Sequence, residues 1–271
     1  MAKLGLFDSG FGGLTIAKAV AQRLPLHDFV YIGDGLRAPY GDRLTEDIYR
    51  LTEQAVRFLF SQDCDLIIVA CNTASAQALR KIQQNYLPTY APNKRVLGVI
   101  IPAAEAAVQQ SKTGRIGVMA TDHTVSSDAF VKELKKLQSD VTVIQQACPM
   151  LVPLIEAGRH TDPAVETLVS GYVKPLLAAH IDTLILGCTH YELIKDTVQQ
   201  LVEPSVKVLA EGAIVAERLA DYLARHPELE SRLSKNVSRQ FFCTQESQRL
   251  FDVLASQFYG SPITAKRATL E

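Results

Sequence analysis

Two cysteines stand where a thiol can do chemistry. Cys71 directly follows the apolar run Leu66–Ala70 and precedes Asn72-Thr73, a pair suited to cap the start of a helix. Cys188 repeats the arrangement: it follows the apolar run Thr183–Leu186 and Gly187, with Thr189 as a second cap candidate and His190 two residues on. A thiol at a helix N-terminus meets the positive end of the helix dipole, which lowers its pKa and raises its thiolate fraction. Inverting a carbon centre needs a base on one face and an acid on the other. A thiol and a thiolate facing one pocket supply both and exchange roles with the direction of reaction. The resulting carbanion must then be stabilised by the protein.

Other residues are placed to assist. Asp8 and Ser9 end the first apolar run and are followed by Gly10-Phe11-Gly12-Gly13. These glycines permit close backbone approach and point N–H groups at an anion. The Gly run lacks the G-x-G-x-x-G and P-loop patterns of nucleotide sites. Asp8 is suited either to bind an ammonium group or to exchange protons with a nearby thiol. His190, beside Cys188, is suited to assist its proton transfers. Glu156 lies in the apolar segment Leu151-Val-Pro-Leu-Ile-Glu, where burial would raise its pKa or His190 would pair with it. The loop Gly33–Asp42 carries three glycines and reads as a pocket wall, with the Tyr40 hydroxyl and the Gly41 N–H as ligand contacts. Cys64, Cys148 and Cys243 have no such surroundings and read as packing residues. A Cys–His metal site lacks further spaced ligands, so no metal is expected.

The elements that must position these residues follow from hydrophobic periodicity. Strands are expected at Lys3–Phe7, Phe29–Ile32, Leu66–Ala70, Val96–Ile100, Arg115–Met119, Val141–Gln145, Thr183–Leu186 and Val206–Leu209. Helices are expected at Leu14–Arg23, Thr45–Ser61, after Asn72, and at Ser127–Lys136, Pro163–His180 and Ala213–Arg225. A strand and a helix are expected in Ser238–Ser256. Continuous apolar strands alternating with helices predict an α/β fold with mostly parallel sheets flanked by helices. An internal repeat is also legible. Leu4-Gly-Leu-Phe-Asp-Ser matches Ile116-Gly-Val-Met-Ala-Thr, and Asp65-Leu-Ile-Ile-Val-Ala-Cys71 matches Asp182-Thr-Leu-Ile-Leu-Gly-Cys188, at similar offsets. Two pseudo-symmetric lobes follow, residues 1–97 with 210–271 and residues 98–209. Ligands of open α/β sheets sit beyond the strands' carboxyl ends, so the cleft between the lobes is the expected active site.

Composition narrows the class. Lys and Arg number 28 against 29 Asp and Glu, a net charge of −1, which weakens any case for nucleic-acid binding. The hydrophobic fraction of 47% is that of a globular chain with a real core. The longest apolar stretch, Val96–Ala104, is interrupted by Gly98 and Pro102, far short of a membrane span. Five cysteines, an odd number without C-x-x-C, argue for reduced thiols in a cytoplasmic protein, and no signal-peptide pattern precedes the first strand.

Four motifs in order carry a resemblance: Phe7-Asp8-Ser9-Gly10-x-Gly-Gly, Ala38-Pro39-Tyr40-Gly41, Ala70-Cys71-Asn72-Thr73-Ala74 and Gly187-Cys188-Thr189-His190-Tyr191. From the first strand to about Glu217, the sequence resembles the glutamate racemases of the aspartate/glutamate racemase superfamily. The resemblance implies interconversion of L- and D-glutamate without pyridoxal phosphate, metal or other cofactor, supplying D-glutamate for peptidoglycan. It assigns Cys71 to the α-proton of the D-enantiomer and Cys188 to that of the L-enantiomer. Asp8 and His190 match residues that assist their cysteines, and Glu156 one that orients the histidine. Ser9, Tyr40, Gly41, Asn72, Thr73 and Thr189 match substrate contacts. Two lobes around a buried cleft, a C-terminal tail returning to the first lobe, and a homodimer are implied as well.

There are departures from the family pattern. Ile100-Ile101-Pro102-Ala103 replaces the usual Asp-Pro-Gly-like turn, and Leu209-Ala210-Glu211-Gly212 replaces an Ile-Asp-Ser/Pro run. Neither is expected to touch the catalytic set. Some members carry an N-terminal extension linked to activation by a cell-wall precursor. This sequence opens at the first strand, so activity without that activator is expected. Competing readings are a relative acting on aspartate or another dicarboxylate, a non-catalytic amino-acid-binding protein, and a thiol hydrolase or redox protein. Paired strand-end thiols are not needed for binding alone, and the last class lacks an oxyanion arrangement and a C-x-x-C.

Overall fold

The computed structural model describes residues 1–271, the side chain of Leu250 excepted. Among the described residues, strands β1 (Lys3–Asp8), β2 (Phe29–Gly33), β3 (Cys64–Val69) and β4 (Arg95–Gly98) form one parallel sheet with two later strands. A second parallel sheet holds β5 (Arg115–Ala120), β6 (Thr142–Ala147), β7 (Thr183–Gly187) and β8 (Lys207–Leu209). The later strands are β9 (Arg239–Cys243) and β10 (Ala265–Arg267), which extend the first sheet beyond β2. The orders are β10-β9-β2-β1-β3-β4 and β6-β5-β7-β8. The two sheets therefore share one order, β2-β1-β3-β4 matching β6-β5-β7-β8. The internal repeat pairs β1 with β5 and β3 with β7, the central strands of each sheet. The fold is the two-lobed α/β architecture read from the sequence.

Central strands are apolar on both faces because helices cover both. Every residue of β7 is buried, as are all but the first of β1 and β5. β6 is an edge strand, and its Gln145 and Gln146 are half-buried. The helix Thr45–Ser61 buries Ile48, Leu51, Ala55 and Leu59, as its period predicts; Phe58 is only partly buried and meets Phe242 edge-on at 5.2 Å between ring centroids. One apolar cluster runs continuously between the lobes, joining Leu4 and Leu6 of β1 to Leu184 and Leu186 of β7. The helices Gly13–Arg23 and Glu211–Arg225 pack on one another within it. Burial on this scale stabilises by roughly 25 cal/mol per Å² of apolar surface removed from water.

Several boundaries differ from the sequence expectation. The strand expected over Val96–Ile100 stops at Gly98, and a helix not foreseen runs from Ile100 to Gln110. Pro102 falls in its first turn, where backbone N–H groups lack intrahelical partners and a proline costs little. The helix expected at Pro163–His180 ends at Ala178, with Asp162 capping its start through Ala164 N at 2.8 Å, and His180 adopts φ 54°. A helix at Leu151–Glu156 and the closing strand β10 were also unforeseen. No helix among the described residues is long and apolar enough to cross a membrane.

Gly187 ends β7, immediately before Cys188, and a side chain there would sit 2.7 Å from the ring of fully buried Phe130. That ring seats the strand end that carries the thiol. Replacing Phe130 with alanine is expected to cost about 3–5 kcal/mol of unfolding free energy. Denaturant unfolding checks this, and a change under about 1 kcal/mol would show that the ring is not part of the load on β7.

Candidate active site

The two sheets point the carboxyl ends of β1, β3, β5 and β7 at one cleft of about 570 Å³, its open mouth included. Cys71, one residue past Ala70, and Cys188, the residue after β7, both line it. Ser9, Tyr40, Gly41, Asn72, Thr73, Thr189 and His190 line it too. Asp8 and Glu156 do not; they stand one layer behind. The described lining holds no Lys or Arg, so an anionic ligand must be held by neutral donors and His190. Among the described residues no group of three or more His, Cys, Asp or Glu has metal-binding placement.

The two thiols have different surroundings. Cys71 Sγ lies 3.2 Å from Ser9 Oγ. Burial pushes the Cys71 thiol up to about 12, the charge of Asp8 adds to this, and the hydrogen bonds from Ser9 and the Ala74 N–H act against it. The lowered pKa expected from the helix N-terminus is therefore corrected: desolvation outweighs the dipole of the short helix Asn72–Gln77. The capping expectation is corrected as well. Cys71 itself takes the N-cap position with no side-chain cap, and Asn72 turns its amide to Glu211, Nδ2 to Oε2 at 2.6 Å.

Cys188 Sγ faces His190 Nδ1 at 3.7 Å, and His190 Nε2 meets Glu156 Oε1 at 2.9 Å. Burial opposes charge on His190, but its bonds to Cys188 and Glu156 prevail and hold the imidazole well above its usual pKa. A charged ring donates from both nitrogens, one toward the sulfur and one toward the carboxylate. Thr189 does not cap a helix; its hydroxyl donates to Asp8 Oδ1 at 3.3 Å across the lobes. Asp8 Oδ2 accepts from the Gly10 N–H at 2.9 Å. Burial pushes the fully enclosed Asp8 carboxyl above the usual carboxylate range, against the pull of His190 and of the N–H groups of Gly10 and Gly13.

The Gly33–Asp42 wall is more ordered than a loop, with 3-10 turns at Gly35–Arg37 and Tyr40–Asp42. Its anchor is Asp34, fully buried, which accepts from Arg37 Nε at 2.8 Å, Thr244 Oγ1 at 2.8 Å and Tyr40 OH at 2.6 Å. The Tyr40 hydroxyl, expected as a ligand donor, thus gives its proton to Asp34. Thr73 Oγ1 and Thr121 Oγ1 meet at 3.0 Å across the cleft.

A family model described as Asp/Glu/Hydantoin racemase matches residues 15–219. This chain belongs to that family. A glutamate racemase of Exiguobacterium sibiricum is 38% identical over 271 residues, spanning 98% of this chain and 96% of that one. Among solved structures, the glutamate racemase isoform RacE1 of Bacillus anthracis matches with a TM-score of 0.91 at 33% identity, over 99% of this chain and 98% of that one. A Francisella tularensis glutamate racemase in complex with D-glutamate matches with a TM-score of 0.86 at 29% identity, over 100% and 97% of the two chains. The chain is accordingly an enzyme of the racemase class.

Sequence reasoning missed part of the cleft. Cys148, read as a packing residue, is buried but lines the cavity, with Pro149, Val152 and Pro153 beside it; burial pushes its thiol well up. Thr121 and Asp122 line it from the end of β5. The internal repeat aligned Ser9 with Thr121, so a signal for Thr121 was present. Glu211, in a run thought remote from the site, reaches Asn72.

Replacing Glu156 with glutamine removes a carboxylate that supports the charged form of His190. The imidazole pKa is then expected to fall, and its charge to be lost at lower pH than in the unaltered protein. NMR titration of the imidazole signals checks this; an unmoved titration would show that Glu156 does not hold the ring's charge.

Proposed function

We propose that this protein interconverts L- and D-glutamate by two-base proton transfer at the α-carbon, with no cofactor. One observation carries the reading: two thiols just past the ends of the equivalent strands β3 and β7 of a repeated unit border one cleft. Family membership and the named relatives support the substrate.

In the L-to-D direction Cys188, as thiolate, takes the α-proton. His190, charged and backed by Glu156, stabilises negative charge on that sulfur before the transfer. The carbanion spreads its charge into the α-carboxylate, held by the neutral donors of Asn72, Thr73 and Thr189. Cys71, kept as a neutral thiol by burial, delivers a proton from the opposite face. One proton leaves and one arrives, and the thiols end with exchanged protonation states. In the reverse direction Cys71 must be the base; the charge of Asp8 opposes a resting thiolate there, and the reading gives Asp8 the part of drawing off the thiol's proton when substrate is bound. Ser9, Tyr40 and Gly41 complete the substrate-binding wall. The same reading gives a cytoplasmic homodimer that supplies D-glutamate for peptidoglycan.

Cys71→Ala and Cys188→Ala are each expected to lower racemisation by roughly 100-fold or more while leaving circular dichroism unchanged. In D2O, the first product formed from L-glutamate is expected to carry deuterium at the α-carbon. Full racemisation by either variant would end the two-base scheme. Turnover of aspartate in place of glutamate would move the enzyme to another branch of the family.

A further inference from the structure

Glu211 is a carboxyl in an unusual place. It opens the helix Glu211–Arg225, is 3% exposed, and its Oε2 lies 2.6 Å from the Asn72 amide that lines the cleft. Its charged neighbours are both acidic, Glu192 and Asp8, and Asn72 is its hydrogen-bonding partner. Glu192 is occupied in turn by the Gly212 N–H at 3.3 Å. With the amide nitrogen placed toward Glu211, two buried acceptors remain without a partner, Asn72 Oδ1 and Glu211 Oε1. A buried carboxyl with one amide partner, an unpartnered oxygen and no cation beside it is costly to keep charged.

We propose that Glu211 is held as a neutral carboxylic acid whose hydrogen bond fixes the Asn72 amide, so that Asn72 presents one set orientation to a substrate in the cleft. Glu211 is a positioning residue: it acts on the ligand only through Asn72. Asn72 lines a cleft without Lys or Arg, so the setting of this neutral amide bears directly on an anionic ligand there. Burial, with the charges of Glu192 and Asp8, pushes the Glu211 carboxyl well above its usual range, while the Asn72 bond acts against this. The inference rests on the proposal that the cleft takes glutamate.

The test compares the full-length unaltered protein with Glu211→Gln and Glu211→Ala. Glutamine keeps a donor without a charge, so E211Q is expected to hold KM and kcat for glutamate within about threefold. E211A leaves Asn72 unoriented, and KM is expected to rise roughly tenfold or more with a smaller change in kcat. In the unaltered protein KM is expected to climb as rising pH ionises Glu211; in E211Q that climb is expected to be absent.

Two readouts do not depend on turnover. Difference infrared spectra at neutral pH are expected to show a protonated carboxyl band that E211Q lacks. A carboxyl whose folded pKa is raised favours the fold below its unfolded value, and that advantage is lost as pH rises through the folded pKa. E211Q removes this loss and is expected to match or exceed the unaltered protein's Tm at pH 8. Equal damage in E211Q and E211A, a lower Tm of E211Q, or no difference band would each overturn the proposal. Failure of the unaltered protein to racemise glutamate would instead refute the proposed function, with the band and Tm still reporting the protonation of Glu211.

Discussion

The whole arrangement depends on how closely the two lobes meet at Gly12. A side chain there would strike the Thr189 hydroxyl and lie 2.7 Å from His190 Nδ1 and 2.9 Å from the His190 backbone nitrogen. Only a residue without a Cβ lets the first lobe's turn sit against the segment that follows Cys188. Thr15 ties the same seam, its hydroxyl donating to Gly12 O at 2.8 Å and reaching Thr189 O at 3.5 Å. Asp8 closes it from below by accepting from both Gly10 and Thr189. On the proposed reading, the approach of the Cys188 segment to the first lobe is thereby set by backbone packing rather than by flexible side chains. Proton transfer to carbon needs this, because its rate falls steeply with small misplacements.

Duplicated topology explains why two thiols arrive at one cleft, and also why they differ. Cys71 and Cys188 follow equivalent strands, but each sulfur meets a different polar partner. Cys71 faces a hydroxyl and the charge of a buried carboxyl, an environment that keeps it neutral. Cys188 faces an imidazole whose far nitrogen is tied to Glu156. A symmetric scaffold thus carries asymmetric electrostatics, suited to a reaction that begins with one proton on one side. The two lobes also share one apolar cluster beside a further cluster in each, so the seam is part of a continuous core.

Much of this was legible in the residues, for physical reasons that differ by element. The strands β1, β3, β5 and β7 were readable because parallel strands buried on both faces leave uninterrupted apolar runs. Cys71 and Cys188 were readable because the repeat placed both at strand ends. The helix Ile100–Gln110 was not, since its apolar start continues the strand before it and Pro102 discourages a helical reading. Interactions far apart in the chain were the least visible. Nothing local ties Glu211 to Asn72 or Cys148 to the cleft wall. The helix-dipole argument for Cys71 failed for a related reason: the sequence shows which residues precede a helix but not how much water the fold removes.

The account stands on two sulfurs flanking one carbon. A crystal structure with D- or L-glutamate bound measures this directly. The account predicts Cys71 Sγ and Cys188 Sγ on opposite faces of the α-carbon, each at roughly 3–3.5 Å from it, a reactive separation. Both sulfurs on the same face, or either one beyond reach of the carbon, would contradict it.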